Sequence, residues 1–154
     1  MPARSAGILL YRRRSGALEV LLAHPGGPFW QRRDLGAWTI PKGEFGDDES
    51  AEDAARRELH EETGIDAAGA LTMLGAVKLK GGKVVVAFAI EGDFDVADLV
   101  SNTFEIEWPP RSGRRQHFPE IDKVEWMTLG DARAKILAGQ VPLLDRLAEL
   151  LDVS

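Results

Sequence analysis

Short apolar runs separated by polar, glycine-bearing breaks occupy the first part of the chain. Residues 5–12 and 18–23 are two such runs on either side of an Arg-Ser-Gly break, the pattern of two strands joined by a turn. Residues 24–35 are rich in Gly and Pro and read as a loop, and 37–40 read as a short strand leading into Pro41-Lys42-Gly43. A helix is predicted over Ala51 to Thr63: Ser50 is a good N-cap with Asp53 three residues on, acids fill the first turn, and Gly64 supplies the stop. Residues 70–80 and 83–91 flank Gly81-Gly82, which suits a hairpin. Residues 103–108 alternate as a half-buried strand does, 109–119 read as a loop, 124–128 as a short strand, and 130–137 and 141–151 as helices. The sum is an α+β chain, a mixed sheet sandwiched between helices in an α/β/α arrangement, with no internal repeat.

With 154 residues the chain fits one domain over 1–154, large enough to bury its own core. It contains no cysteine, which excludes disulfides, thiolate metal sites and thiol nucleophiles and leaves oxygen or histidine to hold any metal. The opening residues carry no apolar signal stretch, and no run approaches the ~18 apolar residues of a membrane span, so a cytoplasmic location without a membrane partner is expected. The net charge of −6 argues against a dedicated nucleic-acid binder. Its distribution is uneven. Acids crowd residues 44–62, whereas bases cluster at Arg12 to Arg14, at Arg32 and Arg33, from Lys78 to Lys83 and from Arg111 to Arg115. An acidic centre with basic loops suits a cation and a small polyanion held together; the plainer alternative is ordinary solvated charge.

Glu58, Glu61 and Glu62 stand at i, i+3 and i+4 on the predicted helix, so their carboxylates share one face. That clustering is costly without a counter-ion, and hard oxygen ligands favour Mg²⁺, with Mn²⁺ as substitute. Taken alone, three acids on a helix also describe a solvated acidic face. The surrounding residues change that. From Gly43 to Ile65 the chain reads GEFGDDESAEDAARRELHEETGI, in which Gly43, Glu49, Arg57, Glu58, Leu59, Glu61, Glu62, Gly64 and Ile65 fill every fixed place of a pattern that resembles the Nudix box.

The resemblance implies the Nudix fold and a metal-dependent hydrolase that splits a diphosphate linkage. It implies that Gly43 lends a backbone carbonyl to the metal and that Glu58, Glu61 and Glu62 bind metal and activate water, with Glu58 and Glu61 the candidates for general base. Arg57 matches a structural arginine that pairs with Glu49 and fixes the loop against the helix. In such chemistry divalent cations neutralise the diphosphate while an activated water attacks phosphorus in line, and no covalent intermediate is needed. Lys42, beside the metal-binding glycine, is the basic residue best placed by sequence for a phosphate. Glu120 is the candidate for a distal acidic ligand, with Glu105 and Glu107 behind it. Nudix domains are often dimers, so a homodimer is compatible with the resemblance.

The approach Trp38-Thr39-Ile40-Pro41-Lys42-Gly43 looks like the Trp-x-x-Pro-Lys-Gly entry of Nudix diadenosine polyphosphate hydrolases and some related enzymes, which favours a dinucleoside polyphosphate or a nucleoside triphosphate as the small-molecule substrate. Trp38 is then a candidate substrate contact, and equally a core aromatic. Phe29, Trp30, Arg32 and Arg33 in the 24–35 loop suit stacking on a base or pairing with a phosphate, as does Arg115 in the basic 111–120 segment, although all could equally be packing and surface residues. Rival readings are a nucleotide-sensing Nudix module without catalysis, an RNA-end hydrolase and an enzyme for oxidised nucleotides; the undamaged set of acids favours catalysis. His24, His60 and His117 lack a second histidine at ligand spacing and fit packing or solubility better than metal binding. No Walker A, Gly-x-Gly-x-x-Gly or Gly-x-Ser-x-Gly sequence is present, which leaves kinase, dehydrogenase and serine-hydrolase readings without support.

Overall fold

A computed structural model describes residues 3–153; the expected unit over 1–154 also takes in Met1, Pro2 and Ser154, which lie outside the described residues. The strands are β1 (Arg4–Arg14), β2 (Ala17–Pro25), β3 (Lys42–Glu44), β4 (Thr72–Lys78), β5 (Val84–Glu91), β6 (Thr103–Glu107), β7 (Arg115–Pro119) and β8 (Ile121–Thr128). The helices are α1 (Ala51–Thr63), α2 (Leu129–Lys135) and α3 (Val141–Leu150). The main sheet runs β4-β5-β1-β2-β8, with β3 pairing to the start of β1. It is mixed: β1 and β5 are parallel, whereas the β1–β2, β2–β8 and β4–β5 pairs are antiparallel.

Because side chains alternate across a strand, β1 feeds two cores. Ala6, Ile8 and Leu10 join Leu21, Ala23 and Phe88 against Ala54, Ala55 and Leu59 of α1. Leu9 joins Val20, Leu22, Val85 and Ala87 against Leu143, Leu144 and Leu147 of α3. The α+β sandwich of a mixed sheet between helices, expected from the periodicity, is present. Helix α1 begins where expected, with Ser50 accepting from the Asp53 N–H at 3.1 Å, and ends on Gly64 in the left-handed conformation at φ 83°. There an L side chain is strained, which explains the glycine that closes the box.

Two expectations need correction. Residues 37–40 form no regular strand: Thr39 exchanges backbone hydrogen bonds with Ala23, whereas Trp38 bonds to Lys135 and Leu137. Each contact is a single bridge that the next residues do not continue, and regular pairing resumes only at Lys42–Glu44. The 109–119 segment is not all loop, since its last five residues form β7, antiparallel to β6 from Thr103↔Pro119 to Glu107↔Arg115. Its exposed, mostly polar residues carry no apolar alternation; Phe118, against Phe104 at 6.0 Å, is the apolar exception on the shared face.

The long loop after β2 is tied down by buried polar contacts. His24 is 2% exposed, with Nδ1 at 2.8 Å from the Asp122 carboxylate and Nε2 at 2.7 Å from the Arg33 carbonyl. Its ring meets Trp38 edge-on at 5.0 Å, and the Trp38 indole donates to Asp34, which in turn pairs with Lys135 of α2. Further out, Phe29 packs edge-on against Trp108, so the loop leans on the β6–β7 hairpin. No helix among the described residues is long and apolar enough to cross a membrane.

Replacing His24 by Ala strips the Arg33 carbonyl and the Asp122 carboxylate of a buried partner and leaves a void. The expected loss is about 2–4 kcal/mol of stability. Urea unfolding checks it: the midpoint should fall with an unchanged slope, and an unchanged midpoint would show that the loop does not depend on this anchor.

Candidate active site

Helix α1 buries Ala54, Ala55, Leu59 and Thr63. Glu58 and Glu62 fall within the same arc of the helix and Glu61 at its edge, and all three line a cavity of about 500 Å³ that Lys42, Gly43 and Glu120 also line. Strand β3 brings Gly43 against the helix, where a methyl group at its Cα would overlap the Glu58 carboxylate. Only glycine allows that approach. Glu120 arrives from the far side by a backbone relay. The carbonyls of Thr63 and Glu61, free at the end of α1, accept from Val100 and Asn102, and the Asn102 carbonyl accepts from the Glu120 N–H at 2.7 Å. Capping the helix end thus sets the distal acid beside the box acids.

Arg57 organises the cluster. Its Nε and Nη2 donate to the two oxygens of Glu49, each at 2.8 Å, and its Nη1 donates to Glu58 at 2.8 Å and to Glu61 at 3.1 Å. The fork clamps the 44–50 loop to α1 and turns two box acids toward the guanidinium. The Glu49 contact holds that carboxyl below its usual range and, with Glu58, raises Arg57 further.

Burial dominates elsewhere. Glu62 is pushed up to about 8, first by burial and then by the charges of Glu58 and Glu120, against the opposing Lys42 N–H, which it accepts at 3.1 Å. Exposed like charges at this helical spacing cost each other only about 0.2–0.5 kcal/mol. A single pKa unit is about 1.4 kcal/mol, so desolvation and not repulsion along the helix moves Glu62 this far. Burial likewise lowers Lys42 despite the attraction of Glu62, and raises Glu58 despite Arg57. Acid and base here are both pushed toward neutrality.

The donor set fits a hard divalent cation. Five carboxylates, those of Glu44, Glu58, Glu61, Glu62 and Glu120, line one cavity with the backbone of Gly43, and no histidine lines it. Among the described residues no three acidic or histidine side chains are already drawn together as a finished metal cage. Arg57 accounts for this, since it holds Glu58 and Glu61 to itself and relieves the repulsion that a cation would otherwise have to cancel.

The residues expected outside the box divide. Lys42 and Glu120 line the cavity; Glu105 is turned to Arg115 and His117, each at 3.2 Å, and Glu107 accepts from the Arg111 N–H. Arg115 does not line the cavity. It sits opposite Glu107, at the end of the hairpin away from the cavity-lining Thr103, roughly 13 Å along the strand. Of the two readings of Trp38, substrate contact is corrected to core aromatic: at 1% exposure it is a core residue, so the Trp-x-x-Pro-Lys-Gly stretch anchors the approach to Lys42 and offers no ring to a solute. Arg33 does not line the cavity either; its guanidinium lies 5.6 Å from the Trp30 ring centre. Sequence reasoning missed Ser5, Glu44, Lys83, Asn102 and Thr103 as lining residues. Lys83 had a signal in the basic 78–83 cluster; Ser5 and Asn102 had none, because pairing with distant elements brings them in.

A family model described as NUDIX domain matches residues 1–147. The chain belongs to the Nudix hydrolase family. No curated protein matches the sequence. Among solved structures, the NUDIX domain of Shewanella oneidensis NrtR, complexed with ADP ribose, has a TM-score of 0.67 at 20% identity, with 98% of this chain and 89% of that one covered. The C. elegans Ap4A hydrolase, in a binary complex, has a TM-score of 0.64 at 26% identity, with 97% and 98% covered. The M. smegmatis Nudix hydrolase RenU has a TM-score of 0.59 at 24% identity, with 96% and 84% covered. Nudix hydrolases generally use a divalent metal such as Mg²⁺.

The raised Glu62 has a signed consequence for the metal-free protein. Between its unfolded value near 4.5 and about 8, the folded state holds the Glu62 proton more tightly than the unfolded state does. This contribution to stability is present at low pH and is lost as pH rises through that window. Glu62→Gln should flatten the decline, measured as unfolding midpoint against pH in chelator; an equal decline in the variant would move the cause to other groups.

Proposed function

We propose that this chain hydrolyses a diphosphate linkage in a nucleoside polyphosphate with Mg²⁺, or Mn²⁺ in its place, and that a dinucleoside polyphosphate or a nucleoside triphosphate is the substrate. The observation that carries the reading is the meeting of Glu58, Glu61, Glu62 and Glu120 with Lys42 and Lys83 in one cavity. Acids alone would repel a polyphosphate and bases alone would not hold a cation; the cavity offers both. The 26% identity with the C. elegans Ap4A hydrolase over nearly the full length of both chains supports a nucleotide substrate.

Gly43, Glu58, Glu61, Glu62 and Glu120 are the proposed metal-holding residues. When bound, the cation neutralises diphosphate oxygens and makes water a better nucleophile near neutral pH. Lys42 and Lys83 hold phosphate oxygens that the cation leaves free. Glu58 and Glu61 take the proton of the attacking water in this reading, and Arg57, paired with both, fixes their position. Glu49, Arg57 and Gly64 act through geometry, since none is placed to touch a substrate.

Glu62→Gln should cut kcat by two orders of magnitude or more in Mg²⁺ while the protein stays folded, whereas Lys83→Ala should mainly raise KM. The check is product chromatography after incubation with diadenosine polyphosphates, nucleoside triphosphates, nucleotide sugars and ADP-ribose. ATP plus AMP from diadenosine tetraphosphate supports the dinucleoside substrate, and pyrophosphate from a triphosphate supports the other. Full turnover by Glu62→Gln would overturn the metal assignment.

A further inference from the structure

Beside the acidic cavity lies a second one of about 230 Å³, and the two share Lys42, Glu62 and Glu120. The apolar walls of the second are Pro25, Trp30, Ile121 and Leu137. It is smaller than the roughly 300 Å³ at which pockets take a whole drug-sized ligand, so it suits one flat apolar fragment of a molecule whose charged part lies next door.

The polar groups of this slot are largely committed. The Thr39 hydroxyl donates to the Ile40 carbonyl at 2.9 Å and accepts from Gln140 at 2.8 Å. Leu137 and Ile121 give their N–H groups to the Trp38 carbonyl and to Ser101, and Pro25 has none to give. The Trp30 indole N–H points along the ring plane and so does not read the edge of a base stacked on its face. Trp30 itself is half-buried, its backbone N–H bonded to Gly27 and its carbonyl to the Arg33 N–H, with the Arg33 guanidinium over its ring. The platform is held in place, and the polar side chains of the slot besides Thr39 are Lys42, Glu62 and Glu120, which the slot shares with the acidic cavity.

The geometry points to Trp30 as the specificity residue of this site: it stacks the base of the nucleotide whose phosphates occupy the acidic cavity, and it selects for an aromatic ring without distinguishing adenine from guanine. This inference rests on the nucleotide reading proposed above for the same site. Stacking on an aromatic side chain is sequence-tolerant because every base has a π face, and its loss weakens binding by about tenfold or more.

Calorimetric titration of the protein in Mg²⁺ with AMP, GMP and ribose 5-phosphate tests it, since none of the three has a diphosphate to cleave. AMP and GMP should bind within about fivefold of one another, and ribose 5-phosphate at least about tenfold more weakly. Trp30→Ala should bring both nucleotides down to the ribose 5-phosphate level, while Trp30→Phe, which keeps a ring and the fold, should retain the preference. Equal binding of AMP and ribose 5-phosphate, a larger gap between AMP and GMP, no measurable binding of any of the three, or an undiminished preference in Trp30→Ala would each overturn it. Failure of the hydrolase reading is distinguishable: it leaves the base preference intact while no diphosphate in the substrate panel is cleaved.

Discussion

The Arg57 guanidinium is the interaction on which the site depends. It spends two donors on both oxygens of Glu49 and a third on Glu58 and Glu61 together. One end of this contact is architectural, because it fixes the loop between β3 and α1. The other is electrostatic, because it lets two like charges stand one helical turn apart in a protein without a bound cation. A lysine could not do both, since a point charge lacks the planar fork that meets one carboxylate with two donors and still reaches a second and third. The same residue therefore shapes the cavity and stores the charge that a metal would use.

What Arg57 does not reach is left unfavourable. Glu62 and Lys42 face one another across a half-buried gap, and burial pushes each toward its uncharged form despite their attraction. A chain shaped for stability alone would fill this place with apolar residues. Retaining a carboxylate and an ammonium there makes sense when a cation and an anionic substrate complete the set, each relieving the charge that burial penalises. Perturbed groups in a cleft mark functional sites for this reason.

Beyond the elements that line the cavity, segments of little regular structure are nonetheless anchored. His24 pins the loop after β2 through Asp122 and the Arg33 carbonyl, Phe29 leans on Trp108, and Asn102 ties the base of the β6–β7 hairpin to the end of α1. The likeness to NrtR and RenU, both below 25% identity, is a likeness of fold, and these segments are where chains sharing a sandwich can differ in the group they accept.

Local chemistry in the sequence determined the helix and its acids. Ser50 and Gly64 mark the ends of α1, and the i, i+3, i+4 spacing puts Glu58, Glu61 and Glu62 on one face without reference to anything distant. The continuous apolar runs of β1, β2 and β5 likewise announce strands buried on both faces. Tertiary structure decided everything that depends on which segments meet. Trp38 entered the core and not the substrate cleft because its indole found Asp34 and His24. Strand β7 formed because β6 lay opposite it, not because Arg115–Pro119 has a strand's pattern. Glu120 reached the box acids while Glu105 and Glu107 turned away because one backbone relay through Asn102 sets which end of the hairpin faces α1. Local spacing carries information over about one helical turn; partners some 60 residues apart in the chain, such as Glu61 and Glu120, are chosen by the packing that closes the fold.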